Sequence, residues 1–400
     1  MSQATGKNRQ ALIVAGESSG DLHGGNLLLA AAECDPELSF YGVGGERMRA
    51  AGCRILFPSD ELSVMGLVEV AVQLPRILRR YRQLKRLLHS AQKPDLLVLI
   101  DFPDFNLRLA RQAKRAGVPV LYYISPKVWA WRSGRIRTIG ERVDRLALIF
   151  PFEPQLFAGQ DVEAVYVGNP LLDEFARRPP AATLAAQLGI DAGTQVVGIF
   201  PGSRNSELKY IFPTLLATAE KIRRQKPDIR FLLPVAPSLD RNYFEQALAG
   251  SNLPVAIVRE NIYEVADCCD AILSVSGTVT LQIALVGTPM VILYKAAPLT
   301  YAVGSRLVRV EHFGLANIVA GKRIVQELVQ DQADPETLGN EILRLLDDAE
   351  YAMTMRRELR RVRELLGAPG CSRKVAAMAS EMSRGILHSA SFRKAESDKQ

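Results

Sequence analysis

The chain has 400 residues, of which 48% are hydrophobic and 23% are charged, and its formal net charge is +7. This length and composition indicate a well-cored globular protein of two domains and argue against a disordered chain. No apolar run approaches the ~20 residues that a membrane-spanning helix needs. The basic balance favours anionic partners, namely phosphorylated metabolites, nucleic acid or an anionic membrane surface.

The five cysteines and four histidines are dispersed, with neither a disulfide framework nor metal-ligand spacing. The polar N-terminus lacks the apolar stretch of a signal peptide, and scattered thiols are typical of a reducing compartment. The interleaved basic and aromatic residues of a nucleic-acid binder are also missing. We therefore expect a cytoplasmic protein with no metal, no other cofactor and no nucleic-acid partner.

The first predicted strand, residues 11–15, leads into a Gly/Ser-rich loop over residues 16–25 and then a helix over residues 26–33. A strand, a small-residue loop and a helix start coincide in this way at the ligand-facing edge of a parallel sheet. The loop matches neither GxGxxG nor a Walker A loop. A second strand, residues 39–43, again ends in glycines.

An apolar segment over residues 62–74 runs into a predicted helix at Pro75, because proline suits the first helical turn. The helix has one apolar face and one basic face, which includes Arg79, Arg80 and Arg82. One interpretation is a surface helix whose charges lie in water. The other is contact with an anionic membrane through the apolar patch and the basic face.

A buried-type strand over residues 94–101 ends in Asp101, and Asp104 follows across a proline. A carboxylate at the carboxyl end of a parallel strand lies where such sheets bind ligands. Asp101 is therefore the stronger candidate for a general base. Asp104 fits the N-cap of the following helix better.

Both tryptophans, Trp129 and Trp131, follow the next predicted strand, residues 118–124, in a turn that contains a proline. They can simply pack in the core. They can also form an apolar wall for a ligand.

Paired prolines at positions 179 and 180 indicate a linker, after which the α/β pattern restarts with a strand over residues 195–200. Gly202, Ser203 and Arg204 follow this strand. The forked donors of Arg204 suit a phosphate or pyrophosphate, and the alternative is a surface salt bridge with Glu207.

Residues 271–289 repeat the arrangement, with a short strand, the turn Ser276-Gly277-Thr278 and a helix. A helix that opens after such a turn presents unpaired backbone N–H groups, so the turn is either an anion site or an ordinary βα turn. A strand over residues 290–294 follows, and the rest of the chain is predicted to be mostly helical. There Asn317 lies in a turn-like segment as a candidate polar ligand contact.

Six segments together closely resemble the lipid-A-disaccharide synthase family, over the chain up to about residue 366. They are residues 15–24 (AGESSGDLHG), 64–69 (VMGLVE), 101–106 (DFPDFN), 125–132 (SPKVWAWR), 201–204 (PGSR) and 276–278 (SGT). The resemblance implies an α/β protein of two Rossmann-like domains facing across a cleft (GT-B), with a C-terminal helix crossing back. The expected domains are residues 1–176 and 177–366. A final helix over residues 367–390 packs on the first domain or a partner chain, and residues 391–400 form a disordered tail.

The activity that the resemblance implies is inverting, metal-independent glycosyl transfer in lipopolysaccharide synthesis. The implied donor is UDP-2,3-diacylglucosamine, and the implied acceptor is 2,3-diacylglucosamine 1-phosphate (lipid X). The products are the β(1→6)-linked lipid A disaccharide 1-phosphate and UDP. The expected location is the cytoplasmic face of the inner membrane, as a peripheral protein, and a homodimer is an expected partner state.

The resemblance also assigns residues to roles. Asp101 is the implied base, with Asp104 and Glu17 as further catalytic candidates. The leaving UDP needs donors from the second domain, and the candidates are Gly202, Ser203, Arg204, Ser276, Gly277, Thr278, Gln282 and Asn317. The acceptor and its acyl chains need an apolar surface, for which the candidates are Ser18, Met65, Val68, Trp129 and Trp131.

Two positions depart from the family pattern. Gln282 stands where the family usually has a glutamate suited to the donor's ribose hydroxyls, and glutamine accepts hydrogen bonds without a charge. Asn169 stands where the family often has histidine. The sequence leaves open another GT-B enzyme, such as a MurG-like transferase or a UDP-sugar epimerase, and a catalytically silent sugar-nucleotide or lipid-binding protein.

Overall fold

The computed structural model describes residues 8–62, 67–131, 133–178, 181–203, 205–236, 238–259, 261–296, 301 and 311–386. These residues belong to two compact units. Unit 1 comprises the chain up to Asp173 and again from Pro369, and Unit 2 comprises Glu174–Ala368. None of the described helices is long and apolar enough to cross a lipid bilayer.

Each unit is built on one parallel sheet. The strands of Unit 1 are β1 (Arg9–Ala15), β2 (Leu38–Gly44), β3 (Arg54–Pro58), β4 (Leu96–Ile100), β5 (Val120–Tyr123), β6 (Arg145–Leu148) and β7 (Glu163–Tyr166). Those of Unit 2 are β8 (Val196–Phe200), β9 (Arg230–Pro234), β10 (Val255–Val258), β11 (Ala271–Val275), β12 (Met290–Tyr294) and β13 (Gln326–Val329). The strand orders are β3-β2-β1-β4-β5-β6-β7 and β10-β9-β8-β11-β12-β13, both of the Rossmann type. The expected α/β class with two Rossmann-like domains is confirmed.

Helices connect the strands in the described part of the chain. They are α1 (Ser18–Cys34), α2 (Glu46–Ala50), α3 (Leu67–Leu88), α4 (Pro103–Arg115), α5 (Arg135–Arg142), α6 (Pro170–Ala176), α7 (Ala181–Gln187), α8 (Asn205–Gln225), α9 (Arg241–Leu248), α10 (Ile262–Asp267), α11 (Thr278–Val286), α12 (Leu315–Ala320), α13 (Pro335–Asp347), α14 (Ala349–Leu365) and α15 (Cys371–Ser383). Short 3₁₀ turns cover Ser59–Glu61, Pro154–Phe157 and Gln330–Gln332.

Both faces of the Unit 1 sheet are buried, as expected for a parallel sheet. Along β1, Leu12 and Val14 pack with residues of α3, α4 and α5, whereas Ile13 packs with residues of α1 and α15. All three side chains are fully buried. Burial of each such side chain stabilises the fold by ~1.5–3 kcal/mol, which explains why the strand reads as a continuous apolar run.

The final helix, α15, packs against α1 within Unit 1, so the expected return of the C-terminal helix is confirmed. Its apolar residue Met382 is fully buried. At its polar edge, Asp35 accepts hydrogen bonds from Arg9 at 2.7 Å and from Ser380 at 2.5 Å. Apolar burial and the hydrogen bond from Ser380 to the buried Asp35 therefore both fix the helix to the first unit.

Helix α1 begins at Ser18, so the stretch predicted as a loop over residues 16–25 is mostly helix. The glycines in it serve close packing. A Cβ atom on Gly24 would lie 2.6 Å from the Met48 Sδ, and one on Gly20 would lie 3.1 Å from the Ala15 Cβ. Glycine has low helix propensity, so the local pattern predicted a loop where tertiary packing produces a helix.

Two further predicted elements differ from the structure. Helix α3 begins at Leu67, which puts Pro75 in its interior rather than in its first turn. A proline there removes one backbone hydrogen bond. The sequence also predicts mostly helix beyond Tyr294 and misses β13, a short edge strand that pairs with β12.

Candidate active site

In both units, the loops singled out by the sequence lie where the strand order reverses. In Unit 1, β1 pairs with β4, so the loops after these two strands are neighbours. In Unit 2, β8 pairs with β11 in the same way. Open α/β sheets bind ligands at this topological switch point, so each unit has a candidate binding edge.

The loop after β4 holds Asp101 and Phe102 in the left-handed backbone region, with φ of 44° and 49°. Residues other than glycine seldom adopt this conformation, which costs ~1–3 kcal/mol each. The Asp101 carbonyl accepts hydrogen bonds from the Tyr122 hydroxyl at 2.6 Å and from the Asn106 Nδ2 at 2.8 Å. These bonds maintain a strained loop, and such strain clusters at functional sites.

Burial of the Asp101 carboxyl raises its pKa from 3.8 to about 6. The charge of Glu17 raises this pKa further, whereas the Phe102 backbone N–H and the charge of Lys127 oppose the rise. The group is therefore ionised at pH 7 and more basic than an ordinary aspartate. A general base needs this combination.

Glu17 and Ser18 lie at the N-terminus of α1, and both side chains are exposed. Glu17 occupies the N-cap position, but its side chain makes no capping hydrogen bond. The preceding residue, Gly16, lies under the Phe102 ring, where a Cβ atom would approach to 2.4 Å. Glycine at this position therefore lets the β1 loop approach the Asp101 loop.

The prediction that Asp104 caps α4 is wrong. The helix begins at Pro103, and its N-cap is Phe102, which makes no side-chain capping bond. Asp104 lies in the first helical turn with 73% of its side chain exposed, and it forms an ion pair with Arg135 at 2.5 Å. It lies near the Asp101 loop without sharing its burial.

The two tryptophans have different environments. Trp129 packs edge-on against Phe150 and Phe152 at ring distances of 6.2 and 5.7 Å, as the packing interpretation expects. Trp131 is 43% exposed, with the Arg135 guanidinium 5.7 Å from its ring centre. Of the two, Trp131 therefore presents the more exposed aromatic surface, as a ligand wall requires.

Sequence reasoning missed Glu153, which the pattern showed only as part of a turn after β6. Its side chain accepts hydrogen bonds from the Trp129 Nε1 at 3.3 Å and from the backbone N–H groups of Ile149 and Phe150. Burial raises its pKa to about 7, against the effect of these donors. A glutamate between two prolines carries no periodic signal, so only the tertiary structure identifies it.

A groove beside the Asp101 loop, with a volume of about 700 Å³, lies between α3 and α4. Its lining includes Phe102 and the exposed leucines Leu74 and Leu78. Among the predicted lipid-contacting residues, Met65 lies outside the described residues. Val68 lies in α3, and its side chain lies outside the described part. Apolar surface thus adjoins the candidate base.

In Unit 2, the loop after β8 packs closely on the end of β11. Gly202 has a φ of 88°, and a Cβ atom there would lie 2.8 Å from the Val275 Cγ2. Ser203 is exposed, and its carbonyl accepts a hydrogen bond from the Ser238 hydroxyl at 3.0 Å. Arg204 lies outside the described residues.

Helix α11 begins at Thr278, and no side chain caps its N-terminus. Thr278 is exposed, and nothing lies within 4 Å of a Cβ position on Gly277. The Ser276 hydroxyl donates to the Phe313 carbonyl at 2.8 Å, which fixes the turn. Uncapped backbone N–H groups at an open helix N-terminus bind phosphate, so the geometry favours the anion-site interpretation.

The half-buried side chain of Gln282 hydrogen-bonds Tyr263. The Tyr263 hydroxyl in turn donates to Glu174 at 3.4 Å. Because a hydroxyl has one proton, this pattern requires the Gln282 amide to be the donor. A glutamate could not donate here, which gives the departure from the family pattern a structural basis.

The expectation of a ligand contact for Asn317 is corrected. Asn317 is fully buried in helix α12, not in a turn. Its amide donates to the Val325 carbonyl and Glu327, and its oxygen accepts from the Ile324 and Val325 N–H groups. All its hydrogen-bonding positions are used within the protein. Asn169 is also buried, bonded to the Ile149 carbonyl and the Leu171 N–H.

Sequence comparison identifies one protein family. The profile of the lipid-A-disaccharide synthetase family matches residues 11–380. The chain is 56% identical to a lipid-A-disaccharide synthase of Syntrophotalea carbinolica, over 94% of this chain and 96% of that protein. It is 50% identical to the enzyme of that name from Geobacter sulfurreducens, over 94% and 97% of the two chains.

Solved structures with low sequence identity share the fold. The calicheamicin glycosyltransferase CalG4 matches with a TM-score of 0.61 at 15% identity, over 96% of this chain and all of that one (100%). UDP-GlcNAc 2-epimerase from Neisseria meningitidis matches with a TM-score of 0.58 at 13% identity, over 94% and 98% of the two chains. Transferases and epimerases therefore share this two-domain architecture, and the fold alone does not distinguish their chemistry.

Proposed function

The chain belongs to the lipid-A-disaccharide synthase family, and on this basis we propose how its residues perform the reaction. It is a glycosyltransferase that forms the lipid A disaccharide. A MurG-like transferase, a UDP-sugar epimerase and a silent binding protein are not favoured. The family match spans residues 11–380, whereas the likeness to epimerases is a likeness of fold.

The reaction transfers a diacylglucosamine unit from UDP-2,3-diacylglucosamine to 2,3-diacylglucosamine 1-phosphate. The acceptor 6-hydroxyl oxygen attacks the donor anomeric carbon and forms the new glycosidic bond. The bond from that carbon to the UDP oxygen breaks with inversion, and UDP leaves with the electron pair. The protein must accept the hydroxyl proton and stabilise the leaving diphosphate.

Asp101 is our choice of proton acceptor. The observation that carries this choice is a carboxylate held in a strained loop at the Unit 1 switch point, with its pKa raised to about 6. Glu17 increases the basicity of Asp101 through its charge, and we assign it that role rather than proton transfer. Asp104 is exposed and paired with Arg135, so we place it at the edge of the acceptor site, with Ser18 and Trp131.

Unit 2 is our choice for binding UDP. The uncapped N-terminus of α11 supplies backbone N–H groups near Gly277 and Thr278, and the loop with Gly202 and Ser203 approaches the same sheet edge. Arg204 follows that loop in sequence and is the proposed cation for the diphosphate. Gln282 contacts Tyr263, so we propose that it holds α11 in position and does not bind UDP directly.

The test is product formation by purified protein from the two acylated substrates, with EDTA and no added metal, followed by mass spectrometry. Asp101→Asn should lower the turnover rate by about 10²–10⁴-fold, the range for loss of a general base. Asp161→Asn, at an exposed position before β7 and so at the opposite end of the strands, is the control and should keep the wild-type rate. Absence of disaccharide from wild type would sink the proposal. An active Asp101→Asn would remove only the base assignment.

Peripheral binding to the cytoplasmic face of the inner membrane is a further proposal, and it involves α3. Leu74 and Leu78 are 47% and 39% exposed beside the basic face of this helix. Arg80 is already engaged, because its guanidinium donates to Glu61 at 2.7 and 3.0 Å. Exposed basic residues near an anionic surface contribute ~1 kcal/mol each, and Arg79 and Arg82 are exposed.

Flotation with anionic liposomes tests this contact. Arg79→Glu combined with Arg82→Glu should release the protein from the vesicles. Arg137→Glu on α5, where the side chain is 85% exposed, is the control and should still float. Equal flotation of both variants would leave α3 an ordinary solvated surface.

A homodimer is the remaining partner proposal, and it rests on the family resemblance. Sedimentation equilibrium should give twice the chain mass of 44.0 kDa, and a mass of one chain at micromolar concentration would reject the dimer.

A further inference from the structure

The groove between α3 and α4 combines an apolar floor with a basic rim, and its rim arginines have no role in the proposals above. The floor includes Leu74, Ile77, Leu78 and Phe105. Phe102, the residue after Asp101, also lines the groove. An apolar channel therefore leads away from the proposed base.

Three arginines form the rim, Arg108 and Arg111 on α4 and Arg142 on α5. Arg108 and Arg111 follow Asp104 by four and seven residues, so they share a helix face, roughly 6 and 10 Å further along the axis. Both are exposed. Arg142 is half-buried and donates to the Leu107 carbonyl at 3.1 Å.

The rim carries unbalanced positive charge. No carboxylate among the described residues forms an ion pair with the three rim arginines, whereas Asp104 is neutralised by Arg135. A groove with an apolar floor and unpaired guanidinium groups matches a ligand that has a hydrocarbon chain and an anionic group.

We infer that this groove binds the acceptor substrate, with its anomeric phosphate at Arg108 and Arg111 and one acyl chain along the floor. This assignment rests on the proposed function and deepens it. A guanidinium fork matches phosphate oxygens. A hexose ring is about as long as one helical turn, ~5 Å, so a phosphate near Arg108 leaves the 6-hydroxyl end directed towards Asp101.

Equilibrium binding of a short-chain 2,3-diacylglucosamine 1-phosphate, below its micelle concentration, tests the assignment. The variant Arg108→Gln/Arg111→Gln should raise the Kd by roughly tenfold or more, because bonds to charged groups are lost. Arg115→Gln, on the same helix outside the groove, should bind as wild type. A probe that lacks the phosphate should bind equally to all three proteins.

The apolar half has its own variant. Leu78→Gln is a surface substitution in α3, and it should reduce the preference for the diacylated probe over a deacylated sugar phosphate by several-fold. An unchanged preference would overturn the acyl-chain assignment.

Two results would overturn the phosphate assignment. One is equal binding of the phosphorylated probe to wild type and the double arginine variant. The other is a double arginine variant that binds the probe as wild type does but no longer floats with anionic vesicles. That result would assign the rim to membrane phospholipid. The same preparations are assayed for disaccharide. Groove-dependent binding without product from wild type would reject the proposed function and leave this inference standing.

Discussion

Replacing Asp101 with asparagine should strongly lower activity and at the same time stabilise the protein at neutral pH. The carboxylate has a pKa of about 6 in the folded protein, against an ordinary value of 3.8. The difference of about 2 pKa units corresponds to ~3 kcal/mol at 1.36 kcal/mol per unit. Burial of the ionised carboxylate therefore destabilises the folded state. Asparagine has the same shape without the charge.

The sign of the pH dependence follows from proton binding. Between pH 4 and pH 6 the folded state holds a proton on Asp101 that the unfolded chain has released, so stability falls as pH rises through this window. Above about pH 6 the full cost is present, and below about pH 4 it vanishes. Asp101→Asn should thus be more stable than wild type by up to ~3 kcal/mol at pH 8 and unchanged at pH 4. Asparagine, like aspartate, tolerates the left-handed backbone.

Urea unfolding followed by tryptophan fluorescence measures this difference in stability. The signal reports on Unit 1, which contains Asp101, because both tryptophans lie there. Asp104→Asn is the control. Its carboxylate is 73% exposed, and the loss of an exposed ion pair should change the free energy of unfolding by no more than ~1 kcal/mol at either pH. An Asp101→Asn protein that is less stable than wild type at pH 8 would refute the electrostatic reasoning.

Three other substitutions test separate parts of the structure. Gly16→Ala should lower activity at least tenfold, because its Cβ would collide with an aromatic ring at 2.4 Å, whereas Gly134→Ala meets nothing within 4 Å and should be neutral in the same assay. Wild-type fluorescence should change with a midpoint near pH 7 as Glu153 titrates, and a midpoint retained in Glu153→Gln would exclude that assignment. Gln282→Glu should destabilise Unit 2 by about 1–3 kcal/mol in thermal unfolding, since the Tyr263 hydroxyl loses its donor; an unchanged melting temperature contradicts this.

Much of the fold could be predicted from local patterns. The strand at Met290–Tyr294 has the predicted bounds, because an apolar run between Gly-Thr-Pro and Lys295 has few alternatives. The start of α1 could not be predicted, since Gly20 and Gly24 are compatible with a loop until their close contacts with Ala15 and Met48 are known. Tertiary packing, rather than helix propensity, determines where α1 begins.

The candidate site shows the same division. Asp101 could be found from its position at a strand end, but its left-handed backbone and raised pKa depend on Tyr122, Asn106 and burial. Asn317 looked like a ligand contact because its amide donates to Val325, just before β13, and to Glu327 within it, and the pattern did not reveal that strand. Polar residues near glycines are ambiguous until every hydrogen bond has been accounted for.

The pH dependence of kcat/KM for disaccharide formation tests the central claim most directly, because it reports the ionisation of the free enzyme. We expect an acid limb with a midpoint near pH 6, the pKa of Asp101. The residual rate of Asp101→Asn should lack that limb, which separates the carboxylate from the phosphate of the acceptor. Two results would contradict Asp101 as the base. One is an acid limb that persists in Asp101→Asn, and the other is a wild-type kcat/KM that stays constant as the pH is lowered to 5.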